Sequence, residues 1–179
     1  RPPRSTQSRS SAASDVYKRQ VVIDADALWP MPLAGGDRLR VLTPHPGEMA
    51  RLTGRFTMEI QAGRVEAARE YALQHHAVVV LKGQRTVIAF PSGKVWINPT
   101  GTPAMGKGGS GDILTGMLAG FLAQFPQDPE TAIRAAVYLH GLAGELAAAR
   151  LGDKCVLATD LLEFLPEAIR VCAGLSHGI

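Results

Sequence analysis

The stretch GTPAMGKGGSGDILTGMLAG, residues 101–120, decides the fold prediction for this chain of 179 residues. It places five glycines, Lys107 and Asp112 in a short loop that runs directly into an apolar helix. Glycines let the backbone approach a ligand closely, and the first turn of a helix presents unpaired N–H groups with about half a positive charge. The segment therefore predicts an anion site, suited to phosphate oxygens, at the start of a helix.

Two other phosphate-binding motifs do not fit this segment. Lys107 precedes the glycine cluster and no Gly-Lys-Ser/Thr follows it, which excludes a P-loop, and the glycine spacing is wrong for a dinucleotide fingerprint. Asp112 could cap the helix, which typically stabilises it by ~1 kcal/mol. Beside a phosphate, however, a carboxylate that only capped would be repelled. We therefore interpret Asp112 as a base that deprotonates a hydroxyl attacking a phosphoryl group.

The flanking sequence alternates between strand and helix patterns. Apolar runs predict buried strands at 21–23, 41–42 and in AVVVLKG (77–83), and TVIAF and KVWIN predict a hairpin. Apolar periodicity predicts helices at about 47–52, 57–76, 111–124, 129–151 and 158–171. This order is typical of an α/β sandwich around a mostly parallel sheet.

In such sheets, ligands bind beyond the carboxyl ends of the strands. The acids Asp24 and Asp26, the turn containing His45 and Glu48, the Lys82-Gly83 pair and the glycine loop all fall at strand ends or helix starts. We expect them to share one cleft. His140 lies on an apolar helix face and is predicted to be a buried core histidine.

The first twenty residues differ from the rest of the chain. Residues 1–20 are rich in Ser, Arg and Pro and carry a charge of +4, whereas residues 21–179 carry −1. We expect residues 1–20 to be a disordered leader or an artefact, and residues 21–179 to form one nucleotide-binding catalytic domain. The basic charge thus gives no reason to expect a nucleic-acid partner.

No apolar run in the sequence is long enough to span a bilayer, so no membrane association is expected. Cys155 and Cys172 lack metal-binding or redox spacing, and we interpret them as reduced residues of a cytoplasmic protein.

Five blocks, in order, resemble the ADP/ATP-dependent NAD(P)H-hydrate dehydratases, the carbohydrate-kinase-like domain of the YjeF family. They are VVIDADAL, TPHPGEMARL, VVLKGQRTVIA, NPTGTPAMGKGGSGDILTGMLAG and AVYLHGLAGELAA. Within the fourth, GGSGD resembles the G-x-G-D anion hole of ribokinase-like kinases. The resemblance implies a ribokinase-like three-layer α/β/α sandwich. It also implies a carbon–oxygen lyase in which a nucleotide phosphorylates the hydroxyl of hydrated NADH or NADPH before phosphate leaves.

The resemblance also implies roles for individual residues. Asp112 would be the base and contact the hydrate, His45 would also contact the hydrated dinucleotide, and Glu48 and Asp26 would help to place Mg²⁺. The anion hole would be Gly109, Ser110 and Gly111, and the adenine nucleotide, ADP or ATP, would lie against Lys82, Gly83, Gln84, Arg85, Thr86 and Gly111. Lys107 replaces a small residue common in the family. An NAD(P)H-hydrate epimerase, fused or separate, and a homo-oligomer are the implied partners.

The resemblance begins several β-α units into the family's domain. We therefore expect a partial domain, and a chain that is unstable, aggregation-prone or inactive by itself. Two alternatives stay open at the level of sequence. One is a small-molecule kinase of the same fold, acting on a hydroxymethylpyrimidine, pyridoxal or a similar alcohol, and the other is a non-catalytic nucleotide-binding module.

Overall fold

The computed structural model describes residues 20–28 and 38–174. The predicted leader, apart from Gln20, lies outside the described residues. The strands are β1 (Gln20–Ile23), β2 (Leu39–Leu42), β3 (Val78–Leu81), β4 (Val87–Ala89) and β5 (Val95–Ile97). The helices are α1 (Pro46–Thr53), α2 (Thr57–Ala62), α3 (Arg64–His75), α4 (Ser110–Gln124), α5 (Pro129–Leu151) and α6 (Asp160–Cys172). Short 3₁₀ turns cover Ala25–Ala27 and Pro103–Met105.

The five strands form one sheet in the order β1-β2-β3-β4-β5. β1, β2 and β3 run parallel, and the β4–β5 hairpin adds two antiparallel pairings at one edge. The carboxyl ends of the three parallel strands therefore meet at one edge of the sheet. The predicted α/β sheet with a parallel core is confirmed, and its open end is where a ligand site is expected.

Helices cover both faces of the sheet, so that two separate apolar clusters form. The side chains of β3 alternate: Val78 and Val80 pack with α4, α5 and α6, while Val79 and Leu81 pack with α1, α2 and α3. All four side chains of β3 are buried, which explains why its sequence is a continuous apolar run rather than an alternating one. The arrangement is the predicted three-layer sandwich.

The prediction of a single helix over residues 57–76 is wrong. Gly63 has φ −131° and ψ 54°, so its backbone leaves the helical region and divides the segment into α2 and α3. The amide of Gly63 donates to the carbonyl of Glu59, and its own carbonyl accepts from the amide of Ala67. One glycine thus ends one helix and begins the next, which apolar periodicity alone does not reveal.

Within the described residues, no helix combines the length and the apolar character that crossing a membrane requires. Both cysteines are exposed free thiols.

Candidate active site

The glycine loop turns into α4 at Gly109, as predicted. Gly109 has φ +89°, a left-handed conformation that favours glycine, and a Cβ added there would lie 3.1 Å from Cβ of Ala158. No side chain caps this helix end. The first amides of α4 consequently have no side-chain acceptor among the described residues and are available to an anion.

Lys82, at the end of β3, reaches across the sheet edge to β1. Its Nζ donates to Oδ1 of Asp24 over 2.7 Å, and Oδ2 of the same carboxylate accepts from Oγ1 of Thr115 over 2.8 Å. Glu48 lies farther from the ammonium, at 3.7 Å. Burial raises the pKa of Asp24, but the hydrogen bonds from Lys82 and Thr115 outweigh it and hold that pKa below its ordinary value. Asp24 is therefore a charged, doubly bonded anchor for the ammonium.

The ammonium of Lys82 and the start of α4 converge. A Cβ built on Gly111 would lie only 3.3 Å from Nζ of Lys82, so the cation sits directly against the backbone of the first helical turn. Asp112 is the next residue, and it is exposed. Its carboxylate makes no hydrogen bond or ion pair within residues 20–28 and 38–174. The ammonium of Lys82 thus lies beside the N-terminus of α4. The carboxylate of Asp112, which has no partner among the described residues, belongs to the same helical turn.

The turn after β3, predicted to line the nucleotide, is tightly bound to α3. Gly83 and Arg85 have positive φ values of 135° and 54°, and Thr86 Oγ1 donates to the carbonyl of Gly83 over 3.2 Å. The guanidinium of Arg64 donates to the carbonyl of Gln84 and, over 3.1 and 3.2 Å, to two carbonyls at the end of β3. The backbone path of this turn is fixed, which suits a segment that lines a ligand.

His45 and Glu48 form a capping box at the start of α1. Nδ1 of His45 accepts from the amides of Gly47 and Glu48 at 3.0 and 3.2 Å, while Oε2 of Glu48 accepts from the amide of His45 at 2.7 Å. The imidazole side chain is 55% exposed. His45 thus caps α1 while its ring stays exposed to solvent. Its contact with the hydrated dinucleotide stays a prediction.

The predicted Mg²⁺ ligands differ in position. Glu48 is buried beside Lys82, whereas Asp26 is exposed in the 3₁₀ turn after β1. In the part of the chain that the structure describes, no three His, Cys, Asp or Glu side chains group as they would around a metal ion. This donor set fits Mg²⁺ only in the form that carries most of its ligands as phosphate oxygens and waters.

Lys107, although exposed, is bonded to the main chain of another segment. Its Nζ donates to the carbonyls of Lys154 and Val156, at 3.0 and 2.5 Å, in the segment between α5 and α6. His140 is buried, as predicted, and its Nε2 lies 2.9 Å from the carbonyl of Ser110. Lys107 and His140 therefore hold the two ends of the short segment that contains Gly109.

The start of the loop is anchored on α5 by close contact with two glycines. A Cβ at Gly141 would lie 2.2 Å from Oγ1 of Thr100, and one at Gly144 would lie 2.3 Å from Sδ of Met105. The amide of Gly101 donates to Oε1 of Glu145 over 2.8 Å. Because glycines leave this face of α5 without side chains, the loop can pack closely against it. The packing against α5 thus determines the path of the loop.

Two residues of this site, Thr115 and Arg64, were not selected from the sequence, and Asp24 was expected in the cleft without a role of its own. Asp24 and Asp26 both follow β1 in the DAD motif, and the 3₁₀ turn of Ala25–Ala27 leaves Asp26 exposed while Asp24 stays half-buried. Thr115 lies four residues after Gly111, one helical turn away on the same face of α4. Arg64 carries no local signal, since its partners lie 17 to 20 residues away.

An apolar groove lies elsewhere, between β5 and α5. Its lining includes Trp96, Ile97 and Tyr138, and the guanidinium of Arg134 stacks 4.1 Å from the centroid of the Trp96 ring. None of the predicted site residues lines this groove.

The fold defines a class. A three-layer sandwich with a mostly parallel sheet is the arrangement of ribokinase-like proteins. A ribokinase-like superfamily protein from Enterococcus faecalis superposes with a TM-score of 0.68 at 28% identity, over 94% of this chain and 60% of that one.

The chain belongs to the NAD(P)H-hydrate dehydratase family, whose model matches residues 7–167. It is 47% identical to the bifunctional NAD(P)H-hydrate repair enzyme Nnr of Moorella thermoacetica, over 91% of this chain and 33% of that protein. The ADP/ATP-dependent NAD(P)H-hydrate dehydratase from Bacillus subtilis, co-crystallised with ATP/Mg²⁺, superposes with a TM-score of 0.83 at 43% identity. That match covers 93% of this chain and 60% of the other. The chain thus spans less than two thirds of the relatives that it matches.

Proposed function

We propose that this chain provides the phosphoryl-transfer site of an ADP- or ATP-dependent NAD(P)H-hydrate dehydratase. The observation that carries the proposal is the closeness of Lys82 to Gly111, where an added Cβ would lie 3.3 Å from Nζ, with the carboxylate of Asp112 on the next residue. Membership in the dehydratase family supports the choice of reaction. The nucleotide and the hydrated dinucleotide are substrates in this proposal.

The proposed reaction has two steps, and the residues supply charge and a base. Asp112 takes the proton from the ring hydroxyl of the hydrate, whose oxygen forms a bond to phosphorus as the terminal phosphoanhydride bond of the nucleotide breaks. The amides of Gly109, Ser110 and Gly111 and the ammonium of Lys82 hold the charge on the transferred group. Loss of phosphate and of a ring proton then restores the double bond of NADH or NADPH.

The turn from Lys82 to Thr86 is proposed to line the nucleotide, and His45 to contact the hydrated dinucleotide. Mg²⁺ is proposed to bind together with the phosphates and to neutralise part of their charge. Of the two predicted ligands, Glu48 is the one beside Lys82. Asp26, which is exposed, would reach such an ion only through water.

The remaining partners follow from the relatives rather than from the geometry. The Moorella thermoacetica relative is a bifunctional repair enzyme, which supports an NAD(P)H-hydrate epimerase, fused or separate, as a functional partner. A cytoplasmic location and a homo-oligomeric state are parts of the same proposal.

A small-molecule kinase of this fold is the second candidate, because the same site would phosphorylate any well-placed alcohol. The products distinguish the two. Purified protein is incubated with hydrated NADH and ADP or ATP. Recovery of NADH with release of inorganic phosphate supports the dehydratase, whereas a stable phosphorylated product identifies a kinase. Nucleotide binding without either product identifies a non-catalytic module.

Asp112→Asn tests the assigned base. We expect the rate of dehydration to fall by about 10²- to 10⁴-fold, because the amide cannot accept the proton, while nucleotide binding persists. Asp153→Asn is the matched control, since Asp153 is also exposed and lies in the loop after α5. An Asp112→Asn protein that dehydrates its substrate at the wild-type rate would contradict the assignment.

A further inference from the structure

We propose that Asp24 is a positioning residue, which acts on the reaction by fixing the ammonium of Lys82 against the first turn of α4. The proposal rests on the proposed function of Lys82 as a contact to the transferred phosphoryl group. Asp24 itself need not touch either substrate. Its role follows from how its two carboxylate oxygens are used.

Each oxygen of Asp24 has a different partner from a different element. Oδ1 accepts from Nζ of Lys82 at the end of β3, and Oδ2 accepts from Oγ1 of Thr115 on α4. The side chain of Asp24 is 11% exposed and that of Lys82 is 19% exposed, so water competes little for these bonds. Asp24 therefore bridges the lysine of one element to the helix of another.

The bridge lies on the face of α4 that the proposed reaction uses. Thr115 is four residues after Gly111, so the two residues lie one above the other on the helix. Fixing Asp24 to Thr115 therefore fixes Lys82 beside Gly111, where an added Cβ would lie 3.3 Å from Nζ and 3.9 Å from Oδ2 of Asp24. The absence of a side chain at Gly111 leaves the room that the ammonium occupies.

Lysine needs such a bridge more than other cations would. Its ammonium is a point charge on a flexible four-carbon stem, so its position depends on what it is bonded to. Glu48 is the other carboxylate near Nζ, at 3.7 Å, and its Oε2 already accepts the amide of His45. Without Asp24, Glu48 is the remaining counter-ion among the described residues. The ammonium would then no longer be linked to α4 through Asp24 and Thr115.

Amine labelling tests the positioning without any reliance on activity. The protein is treated briefly with an acylating reagent, and the modification of each lysine is measured by mass spectrometry. We expect Asp24→Asn to speed modification of Lys82 by about five-fold, while Lys94, which is paired with Glu130 far from the site, keeps its rate. Faster labelling of both lysines would indicate general loosening, and an unchanged rate at Lys82 would indicate that Asp24 does not hold it. Both results contradict the proposal.

A double-mutant cycle tests the link to catalysis. Asp24→Asn is expected to lower kcat about ten-fold and to leave the nucleotide KM within about two-fold, because the lost carboxylate also relieves repulsion of the phosphates. In a Lys82→Met background the same change should lower kcat less than two-fold. Effects that multiply in the double variant would mean that Asp24 acts independently of Lys82, which contradicts positioning. A wild-type protein that converts hydrated NADH into a stable phosphorylated product would contradict the proposed function, and the labelling result would still decide the role of Asp24.

Thr115→Val covers the case in which Asp24→Asn does not fold. This change removes the hydrogen bond to Oδ2 and keeps the volume of the side chain. We expect labelling of Lys82 and kcat to change in the same directions as for Asp24→Asn, by a smaller factor. A Thr115→Val protein indistinguishable from wild type in both measurements would contradict the bridge.

Discussion

The imidazole of His140 on α5 donates from Nε2 to the main-chain carbonyl of Ser110, 2.9 Å away, at the first residue of α4. A carbonyl can only accept, so Nε2 carries a proton, and in the neutral ring the other nitrogen, Nδ1, is the unprotonated one. Burial lowers the pKa of His140 to about 4, although the hydrogen bond to Ser110 acts in the opposite direction. The packing of α4 on α5 is consequently linked to proton uptake.

His140 should make stability depend on pH between about 6.5 and 4. Because its folded-state pKa lies below the ordinary value of 6.5, the unfolded chain binds the proton first as the pH falls. The contribution of His140 is fully present above pH ~6.5 and decreases toward pH ~4, by up to roughly 3 kcal/mol. Urea unfolding across this range measures it. His140→Gln should remove most of the dependence and His76→Asn, at an exposed position, should not; equal slopes in wild type and His140→Gln would refute the assignment.

Gly141→Ala should destabilise the protein and disturb the site. The new Cβ would lie 2.2 Å from Oγ1 of Thr100 and 2.8 Å from its main-chain carbon, and backbone atoms cannot move aside easily. We expect a loss of about 1–3 kcal/mol in the free energy of unfolding, with lower activity. Gly116→Ala on α4 is the control: nothing lies within 4 Å of its Cβ, so it should stabilise the helix by about 0.5–1 kcal/mol. Similar effects of the two changes would contradict the close packing of loop and helix.

Lys107→Met separates an anchoring role from a phosphate contact. Loss of the bonds to the carbonyls of Lys154 and Val156 should lower the free energy of unfolding by about 1 kcal/mol and leave nucleotide affinity within about two-fold. Lys154→Met is the control, because the side chain of Lys154 is exposed. Thermal unfolding and ADP titration give the two quantities. A ten-fold loss of ADP affinity at unchanged stability would instead assign Lys107 to the phosphates.

His45→Asn separates the two roles of His45. Asparagine is a favourable N-cap, so stability should change by less than about 0.5 kcal/mol, whereas His45→Ala should cost about 1 kcal/mol. If the ring contacts the hydrated dinucleotide, both variants raise the KM for the hydrate and leave the KM for the nucleotide unchanged. Steady-state kinetics with each substrate varied in turn provide the measurement. A wild-type KM for the hydrate in His45→Asn would restrict His45 to capping.

The elements that could be predicted from the sequence are those with a local cause. The continuous apolar run of β3 and the glycines before α4 specify buried strand and helix start by composition alone. The cap at His45 could also have been recognised, because Glu48 stands three residues later and a capping box has that spacing. The break at Gly63 was missed, since periodicity continues on both sides of it.

The network around Lys82 could not be predicted in the same way. Asp24 lies 58 residues before Lys82 and 91 before Thr115, so only the order of strands in the sheet brings the three together. The sequence indicated both acids of the DAD motif, but Asp24 rather than Asp26 bonds Lys82, because the chain enters a 3₁₀ turn after β1 that leaves Asp26 exposed. The orientation of Arg64 toward the turn after β3 is equally a property of the assembled layers.

The two sides of the sandwich each shape one half of the proposed phosphate site. Arg64 of α3 shapes the turn beside Lys82, and α5, from the opposite layer, shapes the loop that leads to Asp112. A chain in which one layer has not yet docked therefore lacks either its cation or its base in working position. Under the proposed function, a partly folded copy should therefore consume little ATP, because the site is complete only when both layers are docked.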